Sequence, residues 1–317
     1  LQQTRVEQGL SYYHKLTKAF PKVEDLAQAE EEVVLKNWQG LGYYSRARNL
    51  HFAAKQIVND YDNKFPSNYK DIISLKGIGE YTAAAIASFA FQLPHAVVDG
   101  NVFRLLSRLI GIETPINSTQ GKKEFSELAQ SLIDTKNPDI YNQAIMEFGS
   151  QMCKPKNPNC NECPLQSSCF AFSKNKIHEL PVKLKKTKQK VLYFDYFFIK
   201  YKNKTIIHKR SDNDIWKNLY QFPLIKNKEE LSEEKMLKIA TEMNWIDAKN
   251  SEIKSISKKY KHILSHRIIF ARFWEIKSTK KPVIDSTLTI DIKDTSKYPV
   301  SRLIEKYLDD NIINSVK

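Results

Sequence analysis

Apolar residues in the first 150 positions recur at helical spacing. Val6, Leu10, Tyr13, Leu16 and Phe20 lie on one face of a helix, with Pro21 marking its stop. Leu50, Ala53, Ala54, Ile57 and Val58 mark a second helix that ends near Phe65-Pro66. Tyr81 to Phe91 forms a third, ended before Pro94, and Asn101 to Ile110 and Gln120 to Asp134 follow. Strand signals are scarce in this half. The texture changes after Phe172. Aromatic and β-branched runs at Val191–Lys200, Thr205–His208 and His266–Ile276 read as strands. Glu229–Met243 and Ser301–Ile313 read as helices. The pattern predicts a multi-domain chain: an all-α domain over residues 1–173, a linker over 174–190, and an α+β domain over 191–317.

At 317 residues with 41% apolar content, two globular domains are the natural expectation. No apolar run reaches the ~18 residues a membrane span needs. No basic-then-apolar leader opens the chain, so a cytoplasmic, nucleoid-associated protein is expected. The formal net charge of +14 suggests an anionic partner. Its placement is uneven. Residues 1–173 are net zero, residues 174–190 carry +6 and residues 191–317 carry +8. Nucleic acid bound by the first part must therefore meet a local surface or backbone N–H groups. A basic excess also serves solubility alone.

All four cysteines fall in one loop, as Cys153-x6-Cys160-x2-Cys163-x5-Cys169. This is no disulfide scaffold. Thiolates so spaced can wrap one iron–sulfur cluster or one structural zinc, or stay unligated. Only one close C-x2-C pair exists, whereas zinc knuckles usually offer two. Pro155, Pro158 and Pro164 shape the loop.

Lys76-Gly77-Ile78-Gly79 precedes Tyr81 and the third helix. Two glycines permit a tight turn and close approach of backbone to a ligand. The following helix N-terminus suits a phosphate. Such an element can also be a plain turn. Twenty residues on, Asp99 follows Val97-Val98 and opens the helix that begins near Asn101. Asp99 reads as an N-cap or as a charged group serving chemistry.

Hairpin, aspartate and four-cysteine loop come in the order of the helix–hairpin–helix superfamily, and the chain most resembles the MutY-type adenine DNA glycosylases within it. Two further segments carry the likeness: Leu1-Gln2-Gln3-Thr4, and Gly40-Leu41-Gly42-Tyr43-Tyr44-Ser45-Arg46-Ala47-Arg48-Asn49-Leu50. The resemblance implies a helix–hairpin–helix glycosylase domain with a 4Fe–4S cluster on Cys153, Cys160, Cys163 and Cys169. It implies a Nudix-like domain after the linker. The expected enzyme is a monofunctional base-excision glycosylase acting on adenine opposite 8-oxoguanine or guanine in double-stranded DNA, as a monomer. By position, Asp99 would support the sugar cation, with Tyr81 and Asn101 assisting at the adenine pocket. Lys76, Gly77 and Gly79 would meet phosphate. Gln2, Gln3, Thr4, Tyr43 and Arg46 would meet the stack around 8-oxoguanine. Tyr43 and Tyr44 read equally as core aromatics. The family's general acid, a Glu, stands three positions before L-Q-Q-T, ahead of Leu1. The 317-residue chain is therefore expected to lack it.

Lyases of the endonuclease III type carry Lys where Tyr81 stands, for Schiff-base chemistry. In the second domain Lys261-His262-Ile263-Leu264-Ser265-His266 is similar to the family's F-S-H loop, with Leu264 in place of Phe. Ser265 and His266 would read 8-oxoguanine, or form an ordinary loop. Trp216 to Pro223 is similar to the family's W-x-F-P region. No Nudix hydrolase box is present, so pyrophosphohydrolase activity is not expected. An endonuclease III-like pyrimidine glycosylase/lyase and a non-catalytic mismatch-binding protein are the alternatives.

Overall fold

The computed structural model describes residues 4–184, 189–247, 249–264 and 266–313. By its internal contacts the chain divides into two compact units, one of Leu1–Val58 with Thr187–Lys317, the other of Asn59–Lys186. This differs from a cut at 173/174. The reason is a shared core: Leu35, Trp38, Leu41, Tyr44 and Ala47 pack in one apolar cluster with Phe194, Trp216, Leu219, Leu303 and Ile304.

The first unit begins with helices α1 (Val6–Ala19), α2 (Val23–Gln28), α3 (Glu31–Trp38) and α4 (Tyr44–Asp60). The second unit holds α5 (Tyr69–Ser74), α6 (Glu80–Phe91), α7 (Gly100–Leu106), α8 (Thr119–Leu132), α9 (Pro138–Gln151) and α10 (Phe170–Ser173). Its caps follow residue chemistry. The Asn68 side chain accepts from Asp71 N at the head of α5, and Ser118 accepts from Gly121 N at the head of α8. Gln92 closes α6 in the left-handed region, ahead of Pro94. The helix expected over Asn101–Ile110 exists, but after Leu106 it widens into a π turn, Ser107–Gly111. Gly111 sits there at φ +86°, where a Cβ would lie 2.5 Å from the Phe170 ring.

Among the described residues the sheet of the first unit has eight strands: β1 (Lys190–Tyr201), β2 (Lys204–Lys209), β3 (Tyr220–Gln221), β4 (Leu224–Asn227), β5 (Ser251–Ile256), β6 (Tyr260–Ile263), β7 (Arg267–Ser278) and β8 (Leu288–Asp291). Helix α11 (Glu233–Glu242) lies between β4 and β5, and α12 (Arg302–Leu308) follows β8. The central path is β3-β2-β1-β7-β5, with β4, β6 and β8 pairing on β1, β7 and β2. Strands β1 and β7 run parallel from Lys190↔Arg267 to Tyr201↔Ser278, and the other pairings are antiparallel. Alternation explains why β1 is apolar along its length. Phe194, Tyr196 and Phe198 face a core shared with α3, α4 and α12, while Phe197 and Ile199 face Met236 and Ala240 of α11. Asp195, buried in that run, is satisfied by Arg272 Nε and Trp274 Nε1, both at 2.9 Å. Among the described residues no helix is long and apolar enough to cross a membrane.

Candidate active site

In the second unit, α5 and α6 are joined by the glycine turn expected from the sequence. Ile78 N donates to Leu75 O at 3.1 Å, and Gly77 takes φ +85°. Gly79 is the N-cap of α6 and lies open, with no atom within 4 Å of a would-be Cβ. The start of α6 thus presents backbone at its surface, and Lys76 beside it is exposed. Tyr81, one residue into α6, is 46% exposed. Partial burial pushes its phenol above the ordinary value, and the nearby Asp99 carboxylate adds to that. The Tyr81 phenol and the Asp99 carboxylate are thus near enough to influence one another. A groove of about 1220 Å³ opens beside them, lined by Gly79, Tyr81, Thr82, Val98 and Phe103, with Lys122 on α8 among its other residues.

Asp99 is the N-cap of α7, and it is more than a cap. Its Oδ1 accepts from Asn101 N and Val102 N, each at 2.8 Å. Its Oδ2 accepts from Asn101 Nδ2, also at 2.8 Å. Three N–H donors thus fix one half-buried carboxylate in place. Asn101 is itself fixed, because its Oδ1 accepts from Arg104 Nη2 at 2.9 Å. Arg104 is buried and reaches the next elements: Nε donates to Cys153 O at 2.6 Å, and Nη2 also donates to Gly149 O of α9.

One helical turn on, Arg108 is only 2% exposed. It donates to Leu180 O (3.0 Å), Lys154 O (2.8 Å) and Pro155 O (3.3 Å), and lies 3.5 Å from Cys153 Sγ. These two arginines were missed by sequence reasoning. Their signal was present: Arg104 and Arg108, four apart, interrupt an otherwise apolar helix in NVFRLLSRLI, and a buried guanidinium needs acceptors.

The four cysteines are free of disulfides. All four line one small cavity with Leu105, Arg108, Phe148 and Ile177. Burial raises the Cys160 thiol first, then the proximity of Cys153, Cys163 and Cys169, with Arg108 opposing. Among the described residues no three His, Cys, Asp or Glu side chains are grouped tightly enough to hold a metal ion.

In the first unit, the segment between α3 and α4 separates its two tyrosines. Tyr44 is buried and its hydroxyl donates to Val300 O at 2.9 Å. Tyr43 is 56% exposed, with φ +51°. Arg46 lies over its ring at 5.0 Å and donates to Thr4 Oγ1 at 2.8 Å, so Thr4, Tyr43 and Arg46 come together. Gln2 and Gln3 lie outside the described residues. His266 stands exposed at the turn from β6 to β7, where Leu264 N donates to Arg267 O at 2.8 Å. Ser265 lies outside the described residues. His262, within β6, packs its ring on Trp216 at 5.6 Å, so this part of the motif belongs to the core.

Both parts of the chain are similar to known proteins. The family model described as HhH-GPD superfamily base excision DNA repair protein matches residues 1–133, and one described as NUDIX domain matches residues 195–310. An adenine DNA glycosylase of Buchnera aphidicola subsp. Schizaphis graminum is 33% identical, over 98% of this chain and 88% of its own length. That of Buchnera aphidicola subsp. Baizongia pistaciae is 34% identical, over 85% of this chain and 74% of its own. Among solved structures, a thermostable thymine-DNA glycosylase aligns with a TM-score of 0.51 at 29% identity, covering 55% of this chain and 80% of that one.

Proposed function

The chain belongs to the adenine DNA glycosylases, and from that premise we propose that Asp99 stabilises the sugar cation formed as adenine leaves a mispair. The observation that carries this is the carboxylate held by three N–H donors, near enough to Tyr81 of the hairpin helix to act on its phenol. Breaking an N-glycosidic bond builds positive charge on deoxyribose, and a fixed anion beside it lowers the barrier. The three donors hold the carboxylate at a fixed place, which suits it to this charge role. Tyr81 replaces the lysine that a lyase needs, so the enzyme is monofunctional. The target base must be extruded. The groove beside Tyr81 gives it room, and the backbone at Gly77 and Gly79, with Lys76, takes the phosphate that anchors the strand.

The substrate is double-stranded DNA carrying A:8-oxoguanine or A:G. Tyr43, projecting from a left-handed backbone with Arg46 against its ring and Thr4 on that arginine, enters the base stack beside the lesion. Ser265 and His266 read 8-oxoguanine from the β6–β7 turn.

Cys153, Cys160, Cys163 and Cys169 would hold a 4Fe–4S cluster. Four thiols lining one cavity suit a group that binds all of them at once. When bound, such a cluster ties the loop together and can exchange electrons. Arg108, at Cys153 Sγ, offsets part of the thiolate charge.

The test is single-turnover cleavage on duplexes containing A:8-oxoguanine, A:G or thymine glycol. With the chain extended ahead of Leu1 by a segment carrying the family's Glu, excision of adenine without strand-cleaving lyase activity is expected. Activity confined to thymine glycol would overturn the reading in favour of an endonuclease III-like enzyme.

A further inference from the structure

The segment that presents Tyr43 is pinned at its entry by α12 and at its exit by Val300, just ahead of that helix. Its backbone is unusual. Gly40 and Gly42 take φ +95° and +79°, which glycine tolerates, but Tyr43 follows at +51°, a region bulky residues rarely enter. Such a conformation persists only where its surroundings over-determine it.

Those surroundings can be named. At the entry, Gln39 Nε2 donates to Glu305 Oε1 of α12 at 3.0 Å. Gln39 Oε1 accepts from Lys36 Nζ at 2.9 Å and from Val300 N at 3.3 Å. Lys36 Nζ also reaches Tyr298 O at 3.2 Å. Glu305 is held in turn by Arg302 Nη1, 2.6 Å from its Oε2. At the exit, Tyr44 donates to Val300 O. In the middle, Leu41 is buried in the cluster that contains Leu303 and Ile304. The fit at Gly40 is close, since a Cβ there would lie 2.4 Å from Tyr12 Oη and 3.9 Å from Glu305 Oε1. The ends of the segment are thus fixed to residues 298–305, while its tip carries an exposed aromatic ring.

We propose that Glu305, together with the Val300 backbone, positions Tyr43, so that α12 sets the aim of the ring and mispair recognition depends on the C-terminal helix by way of an N-terminal side chain. This rests on the reading that Tyr43 enters the duplex. It is separate from any contact that the C-terminal residues make with DNA themselves. The carboxylate of Glu305 does no chemistry, and its role is that of an acceptor at a fixed place.

The experiment is equilibrium binding of the 317-residue chain to a labelled duplex with one A:8-oxoguanine pair and to the fully paired duplex, read by fluorescence anisotropy. Losing one hydrogen bond of this kind should weaken mispair binding by Glu305→Ala roughly two- to tenfold. Binding to the paired duplex should be unchanged. Glu305→Gln keeps the acceptor oxygen and should bind as the parent does. Tyr44→Phe removes only a hydroxyl from the other pin and should show the same selective loss. The double variant Tyr43→Ala/Glu305→Ala should bind no more weakly than Tyr43→Ala, because both changes act through one side chain. If Tyr43→Ala alone costs nothing, the wedge reading itself fails. If Tyr43→Ala weakens binding but Glu305→Ala does not, or adds its loss to that of Tyr43→Ala, or weakens both duplexes equally, the positioning role is wrong.

Discussion

Replacing Asp99 with Asn separates its two duties, since the change removes the charge while keeping the acceptor that caps α7. The amide oxygen of the new side chain still accepts from Asn101 N and Val102 N, so the N-cap survives. Its amide nitrogen, however, now faces Asn101 Nδ2, where Asp99 had offered an acceptor. Asn101 cannot flip to relieve this, because its oxygen accepts from Arg104 Nη2. One half-buried donor is left opposed to another, a cost of about 1–3 kcal/mol. At about 2–4 °C per kcal/mol for a protein of this size class, Tm should fall on the order of 5 °C. The catalytic loss should be larger. A preorganised electrostatic partner removed from a transition state costs on the order of 10²–10³ in rate, or about 2.7–4 kcal/mol. Asp99→Asn should bind A:8-oxoguanine duplex within about threefold of the parent, because the lost interaction is made in the transition state and not in the ground state. Its single-turnover excision should fall by those two to three orders. Asp99→Ser, also a good cap, should lose excision to the same degree with a smaller loss of Tm. The assays are anisotropy, single-turnover kinetics and thermal unfolding on the same preparations. Excision near the parent rate in either variant would return Asp99 to capping alone, and equal losses in binding and excision would mean the site had collapsed.

Four other outcomes are expected. Protein purified without oxygen should be yellow-brown with about four irons per chain, and Cys153→Ser should lower that content; stoichiometric zinc without iron would refute the cluster. Neutralising the lysines of residues 174–190 should flatten the salt dependence of DNA binding by ~0.9 in log–log slope per lost phosphate contact. Lys176 should contribute least, being paired with Glu113, and an unchanged slope would show that the segment is merely solvated. Alanine at Ser265 or His266 should erase the preference for A:8-oxoguanine over A:G, whereas equal loss on both would indicate misfolding. Burial lowers the imidazole pKa of both His208 and His262 below the ordinary 6.5. The unfolded chain then binds more protons, so stability is full above pH 6.5 and falls as pH drops toward the folded values. A melting temperature that stays flat from pH 7 to 5, or a His262→Gln variant with unaltered pH dependence, would contradict this.

Much of this was legible because periodicity and chemistry agreed. The helices at Val6, Leu50, Tyr81 and Thr119 and the strands β1, β2 and β7 announced themselves by 3.6- and 2-residue repeats. Helices α2, α3 and α5 did not, since six to eight residues give under three turns of pattern. The 14-residue α9 carried its signal in a polar background, behind Pro138 at its first position. Strands β3 to β6 and β8 are two to six residues long and draw their stability from pairing, which leaves no local mark. In the site, residue types at motif spacing located Asp99, the hairpin and the four cysteines. Geometry was needed to separate Tyr43 from Tyr44, because adjacent tyrosines differ only in which way the backbone turns them. The partition of the chain was illegible for a like reason: the core joining Trp38 and Tyr44 to Ile304 links positions remote in sequence.

That remoteness has a consequence for biogenesis. Gln39 and Glu305 are 266 residues apart, which at ~5–20 residues per second is on the order of ten to fifty seconds of synthesis. Throughout that interval Leu35, Trp38, Leu41 and Tyr44 have left the ribosome while the strands and helix that bury them are still unmade. An apolar helix face waiting that long is a natural client for holdase chaperones. A stop codon ahead of Arg302 would strip cover from helices made more than 250 residues earlier, so nascent-chain quality control is the stage at which such an allele should first declare itself.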